Sequence, residues 1–416
     1  MSNDQASETT PAPVPDPVRR GALRRPQAPA LIGPAGRAFS YGALEAAVER
    51  GTERLAMAGV GEGDRVACLL PREPAYVVLL MALWRRRAVA APLPARTPPA
   101  GRVRLLEAIG ARTLVAAGPA ATKAPERVRV LAAPDLVGGL PGEVDDERAP
   151  PNESAWLLSL PLYHVGGLAV VLRCLWAGAT VAFPREDEPL APALRRTGAT
   201  HASLVAAQLR RLLEAAPHDD AGTGVPASMT ALLLGGGPAP PTLIEAAHRA
   251  GWPVAVSYGL TEMASQVATT APGDPLDALL HTAGRPLAHR RVRIRGGPDG
   301  EASREGDIGE ILVHGRTRFA GYVTGGGRRP RRSKRPCAAG PAWPRRRSCP
   351  CRTRPSAGAR SPSCAGRRVR PFPPRRTLTT CARRSASGCP ATRCPTPSTP
   401  GPRTPPPPAS SPTARC

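Results

Sequence analysis

The sequence predicts an α/β domain wound from successive strand and helix units around largely parallel sheets. Three observations predict it. From residue 40 the apolar pattern alternates between helical and extended periods. Two glycine-containing loops, Gly235-Gly236-Gly237-Pro238 and Tyr258-Gly259-Leu260-Thr261-Glu262, follow short apolar strands, where α/β folds place ligand-binding backbone. Composition also changes after Gly327, so that about 320 of the 416 residues are left to build a core.

Residues 1–24 are polar and proline-rich and read as a disordered leader. They lack the apolar segment of a signal peptide, which places the chain in the cytoplasm. The domain is expected over residues 25–323. Leu44, Ala47, Val48, Gly51 and Leu55 share one helical stripe, which Gly59 and Gly61 close. Arg65 to Leu70 reads as a strand, Tyr76 to Arg85 as a buried helix and Ala88 to Leu93 as a strand. Val103 to Ile109 is a helix and Thr113 to Ala116 a further strand. Pro134 to Ser154 reads as a loop. The alternation resumes with Trp156 to Leu160, Leu168 to Trp176 and Thr180 to Phe183, and continues through a helix around Leu204 to Leu213. Leu232 to Leu234 and Val254 to Ser257 are the apolar strands that lead into the two glycine segments.

Charge and cysteine divide the chain unevenly. Residues 328–416 hold 22 Lys or Arg and no Asp or Glu, leaving +3 of the net +25 for residues 1–327. Val369 and Leu378 are the tail's only Val, Leu, Ile or Met residues. Backbone ordering costs about 1 to 2 kcal/mol per residue, and so little apolar surface cannot offset it. The tail is therefore expected to be disordered. The longest apolar run, Ala75 to Trp84, is half of the roughly 20 residues a membrane span needs, so no membrane segment is expected. Cys68 and Cys174 lie in apolar stretches and read as reduced packing residues.

In the first glycine segment, missing side chains let a planar or phosphorylated ligand approach the main chain. The alternative is an ordinary turn. In the second, an aromatic ring, a glycine, a hydroxyl and a carboxylate fall within five residues, which suits stacking, phosphate hydrogen bonding and Mg²⁺ ligation in turn. The competing reading makes Thr261 and Glu262 plain helix N-terminal residues.

These two segments are followed by Gly284-Arg285-Pro286-Leu287 and Gly309-Glu310-Ile311, and the ordered set resembles the motifs of the acyl-adenylate-forming (AMP-binding) ligases. Pro161-Leu162-Tyr163-His164-Val165-Gly166-Gly167-Leu168 and Ala264-Ser265-Gln266 look most like the o-succinylbenzoate:CoA ligase branch of menaquinone biosynthesis. The resemblance implies an adenylating-enzyme large domain and a two-step reaction. A carboxylate attacks the α-phosphate of MgATP, and coenzyme A then displaces AMP. Positioning and charge stabilisation carry such chemistry. It implies that Gly235, Gly236, Gly237 and Gly259 line the nucleotide, that Tyr258 packs on adenine, that Thr261 binds the α-phosphate and that Glu262 holds Mg²⁺. It places His164 at the acyl pocket, with Arg173, Ser265 and Gln266 as candidates for the polar end of the acid. A buried core histidine is the bland alternative for His164, and His201 is open to either reading. The expected partners are ATP, coenzyme A and a small carboxylate, with neither membrane nor nucleic acid among them.

Two departures qualify that resemblance. The family's Ser/Thr/Gly-rich phosphate loop ending in Lys has no counterpart, because Glu147 to Pro151 runs almost directly into Asn152 to Trp156. Its loss is expected to cost several kcal/mol of phosphate binding and to impair adenylation. After Gly321-Tyr322, the ribose-binding Asp, the hinge and the small domain with its catalytic Lys cannot be read. A shifted reading frame accounts for the tail. Gly388 to Pro397 fits codons that read Leu-Pro-Gly-Tyr-Lys-Val-Pro-Asp-Ala from the third base, and Arg376 to Arg383 and Pro408 to Ser411 shift to further family-like strings in the family's order. Three other readings stand beside these. The first is another acyl-CoA synthetase, the second an inactive relic that keeps its pockets. The third is a basic nucleic-acid-binding arm, for which Trp343 and Phe372 offer little stacking surface.

Overall fold

The computed structural model describes residues 15–117, 124–138, 154–215, 224–295 and 309–323. The tail from residue 328 and the junction at 151–152 lie outside them. In the first part of the chain run α1 (Pro17–Arg24), β1 (Pro29–Ile32), β2 (Ala38–Ser40), α2 (Tyr41–Met57), β3 (Arg65–Leu69), α3 (Pro74–Arg85), β4 (Val89–Pro92), α4 (Pro99–Ile109), β5 (Thr113–Ala116), β6 (Arg129–Ala132) and α5 (Ala133–Val137). There follow β7 (Ala155–Leu157), α6 (Val165–Ala177), β8 (Thr180–Ala182), α7 (Leu190–Thr197), β9 (His201–Leu204), α8 (Ala206–Glu214), β10 (Ala231–Leu234) and α9 (Pro241–Arg249). The last elements are β11 (Val254–Leu260), a 3₁₀ turn at Thr261–Met263, β12 (Ser265–Thr269), α10 (Leu276–His281), β13 (Arg285–Pro286), β14 (Arg290–Arg295) and β15 (Glu310–Gly315).

The strands form three sheets. One is parallel throughout, in the order β4-β3-β5-β6. The second runs β13-β12-β11-β10-β9-β7-β8-β1-β2, parallel from β11 to β1 and antiparallel at both edges. The third is the β14-β15 hairpin. The expected parallel βα winding is thus present, with antiparallel strands added at its margins. Strands with both faces covered read as short apolar runs, as Leu232 to Leu234 and Val254 to Val256 do.

Packing follows the stripes of the sequence. Leu44, Ala47, Val48, Gly51 and Leu55 are all buried on α2, and α3 is buried from Tyr76 to Leu83 between the sheets and α2. Gly59, at φ +69°, turns the chain out of α2. Cys68 and Cys174 are buried free thiols, and desolvation pushes both up to about 12. Among the described residues no helix is long and apolar enough to cross a membrane.

Three expectations need correction. The leader read over residues 1–24 is helical from Pro17 to Arg24. Asp16 accepts hydrogen bonds from the amides of Val18 (2.9 Å) and Arg19 (3.1 Å), and Pro17 opens the helix without wasting an amide. The loop read from Pro134 contains α5, because a proline in the first turn is compatible with a helix, and Leu136 and Val137 are buried beside α2 and α3. Tyr258 to Leu260, read as a loop, continue β11, since β12 returns alongside and supplies their ladder partners.

Candidate functional site

The carboxyl ends of β7, β9, β10 and β11 surround a cavity of about 350 Å³, the position where open α/β sheets bind ligands. Its walls come from Leu160, Pro161, His164 and Arg173 on one side. Ser203 to Val205, Leu233, Gly235 and Gly236 form the floor, and Ser257, Gly259 to Thr261, Ser265 and Gln266 the far side. Eight of the twelve residues singled out from sequence therefore meet in one place: His164, Arg173, Gly235, Gly236, Gly259, Thr261, Ser265 and Gln266.

Local sequence sets each wall. His164 is the N-cap residue of α6, and its carbonyl accepts the Gly167 amide at 3.0 Å. The preceding loop folds back on the first turn of the helix. A Cβ at Gly167 would lie 2.2 Å from the Pro161 carbonyl oxygen, so only glycine permits that approach. The Tyr163 ring lies 4.6 Å from the His164 ring. After β10, the Gly235 amide donates to the Leu204 carbonyl at 3.0 Å, and Gly236 takes φ +82°. β11 and β12 form a hairpin with a bulge between Tyr258 and Gly259. At its turn Ala264 and Ser265 adopt φ +53° and +91°, and for a residue with a side chain the latter stores backbone strain.

The polar end is built around Arg173. Its Nη2 donates to Gln266 Oε1, and its guanidinium lies 4.5 Å from the Trp156 ring centroid. Nη1 is buried and has no hydrogen-bond partner among the described residues. Desolvation lowers the Arg173 pKa from its ordinary value, yet arginine stays charged. A charged guanidinium that lines the cavity and keeps one nitrogen without a partner is suited to an anion. Ser203 Oγ, on the same floor, is likewise buried and without a partner among the described residues.

The other sequence-selected residues stand outside the lining. The Tyr258 ring packs with Met263, Val267 and Val313. Glu262 accepts a hydrogen bond from the Tyr322 hydroxyl, and its carbonyl accepts the Phe319 amide at 2.9 Å. Gly237 lies just beyond Gly236 in the same turn. His201 does not reach the cavity; it stacks on Trp156 with ring centroids 4.9 Å apart. Sequence reasoning missed Trp156, Ser203 and Ser257. The rule that carboxyl ends of parallel strands line ligand sites points to all three strands that carry them.

The AMP-binding enzyme family profile matches residues 18–150 and 141–323. The chain belongs to that family. The two matched segments overlap at residues 141–150. The 2-succinylbenzoate–CoA ligase of Bacillus licheniformis is 38% identical over 170 residues, 40% of this chain and 34% of that protein. The chain therefore spans about a third of the length of the curated relatives it matches. Among solved structures it is similar to o-succinylbenzoate coenzyme A synthetase (MenE) from Bacillus subtilis in complex with ATP and magnesium ion. There the TM-score is 0.64 and the identity 25%, covering 74% of this chain and 72% of the other. E. coli MenE, with a bound m-phenylether-linked analogue of OSB-AMS, gives a TM-score of 0.57 and 26% identity over 74% of this chain and 70% of the other. The fold expected from the motifs, the large domain of an adenylating enzyme, is the fold observed.

Proposed function

We propose that this chain is a carboxylate:CoA ligase working through an acyl-adenylate, with o-succinylbenzoate as the acid. One observation carries the reading. Arg173, whose buried Nη1 has no hydrogen-bond partner among the described residues, lines a cavity whose other walls come from the glycine and Thr261 segments. A dicarboxylate would leave one carboxylate on Arg173, with Ser265 and Gln266 beside it, and present the other towards Thr261. That carboxylate oxygen attacks the α-phosphorus of ATP and pyrophosphate leaves. The coenzyme A thiol then adds to the acyl carbon, and AMP departs with the bonding electrons. His164, at the helix start beside Pro161, bounds the acyl end. Gly235, Gly236, Gly237 and Gly259 would take the nucleotide and Thr261 the α-phosphate. Tyr258 would pack on adenine from outside the cavity lining.

Glu262 fits a magnesium site, because Mg²⁺ takes one or two carboxylates and completes its shell with water and substrate phosphates. The metal would neutralise phosphate charge there. Buried thiols at Cys68 and Cys174 support a reducing compartment, the cytoplasm.

The missing phosphate loop favours a second reading, an inactive protein that still binds the acid. Pyrophosphate exchange into ATP, driven by o-succinylbenzoate, separates the two. Exchange above background establishes the ligase. A folded chain that binds the acid without any exchange establishes the inactive form.

A further inference from the structure

Arg173 is oriented without being neutralised. Among the described residues it forms no salt bridge; what fixes it is the Gln266 amide oxygen at one nitrogen and the Trp156 ring under its plane. A carboxylate partner would hold the guanidinium equally well but cancel the charge that a ligand must meet. An aromatic face attracts the cation and leaves its hydrogen-bonding edge open.

Trp156 is itself held from behind. It is the direct register partner of His201 between β7 and β9, and the two rings stack at 4.9 Å with an interplanar angle of 17°. Thr200 fixes that arrangement. Its hydroxyl oxygen lies 2.7 Å from His201 Nδ1, accepts the Ala155 amide at 2.9 Å and lies 3.1 Å from the Ala155 carbonyl. The indole thus stacks on the imidazole and lies 4.5 Å from the guanidinium carbon of Arg173, with indole and imidazole ordered by two adjacent strands. Burial first, and the Arg173 charge second, lower the His201 pKa, which favours the neutral imidazole.

We propose that Trp156, backed by His201, is a positioning residue that holds Arg173 for the second carboxylate of the acid and thereby sets selectivity for dicarboxylates over monocarboxylates. This inference rests on the ligand assigned above to Arg173. Arginine carries large rotamer freedom, and a guanidinium released from its platform must be ordered again by each ligand. Loss of the platform costs roughly three- to thirtyfold in affinity, felt only by ligands that reach Arg173.

The test is calorimetric titration of the full chain with o-succinylbenzoate and with 3-benzoylpropionate, which lacks the ring carboxylate. Trp156→Leu is expected to weaken o-succinylbenzoate by that factor and to leave 3-benzoylpropionate within about twofold. Trp156→Phe, which keeps an aromatic face, is expected to restore most of the loss. Arg173→Ala should show the same selectivity, and combining it with Trp156→Leu should add nothing further. If Arg173→Ala weakens the dicarboxylate and Trp156→Leu does not, the positioning role falls and the ligand assignment stands. If Arg173→Ala changes nothing, or the parent chain takes up neither acid, the ligand assignment falls and the positioning role falls with it. Equal losses for both acids in Trp156→Leu, unrepaired by Trp156→Phe, would make Trp156 a packing residue only.

Discussion

Gly259→Ala places an atom where the structure has no room for one. Gly259 is the register partner of Gln266 across the β11-β12 hairpin. An added Cβ would lie 2.2 Å from the Ser265 carbonyl oxygen, 2.8 Å from its carbon and 3.0 Å from Gln266 Cα. All three obstacles are backbone, so no side-chain rotation relieves them. Contact distances near 3.5 Å require the hairpin to open by about 1 Å, and overpacking of that kind costs about 1 to 3 kcal/mol. For a domain of this size the melting temperature should fall by roughly 2 to 12 °C. The displaced strand carries Gln266, which steadies Arg173, so affinity for the dicarboxylate should fall too. The control is Gly61→Ala, where the nearest obstacle is an Asp64 carboxylate oxygen at 3.9 Å. Thermal melts of the full chain followed by circular dichroism would decide the matter. A Gly259→Ala protein that melts with the parent and with Gly61→Ala would refute the steric argument.

Two further outcomes follow from charge. Asp16 caps α1 and pairs with Arg85 at 2.6 Å, while Arg85 also reaches Glu45 at 2.5 Å. Burial raises the Asp16 pKa, but Arg85 and the capping amides outweigh it and leave a net lowering. Asp16→Ala should cost about 1 to 3 kcal/mol, seen as an earlier urea midpoint at pH 7, and the difference from the parent should shrink as acid protonates Asp16. His201 is lowered instead by burial. Its neutral form therefore favours folding above the ordinary imidazole value of 6.5, and that contribution is lost as pH falls below it towards the depressed value. The parent should lose more melting temperature between pH 7.5 and 5.5 than His201→Gln; equal losses would show that the His201 environment imposes no such penalty.

Much of the architecture could be read from periodicity because it is made of it. The α2 stripe from Leu44 to Leu55 is buried residue for residue, and Thr113 to Ala116 is a strand with the expected limits. The signal failed where local chemistry offers two outcomes. Helix α1 buries only Pro17 and Val18, too little to show as a stripe, and its cap and ion pair are visible only when Arg85 is brought close. Pro134 and Gly259 stand in stretches that read as loops, yet one opens a helix and the other sits at a bulge in a strand. Of the site, the glycines, Thr261, His164 and Arg173 were legible because their side chains, or lack of them, are chemically pointed. Trp156 was not. An aromatic residue in an apolar strand looks like core, and only the register of β7 against β9 shows what stacks on it.

Strand β11 runs parallel to β10 and antiparallel to β12. The glycine-rich floor consequently belongs to the long parallel array, whereas Ser265 and Gln266 arrive on a return strand and Arg173 on a separate helix. Under the proposed assignment, the machinery for the nucleotide and the recognition of the acid are inherited on different pieces of chain. Drift in β12 or α6 can reshape the acid end without disturbing the floor. A duplicated copy of such a gene has a short mutational route to a new carboxylate, and the old chemistry travels with it unchanged.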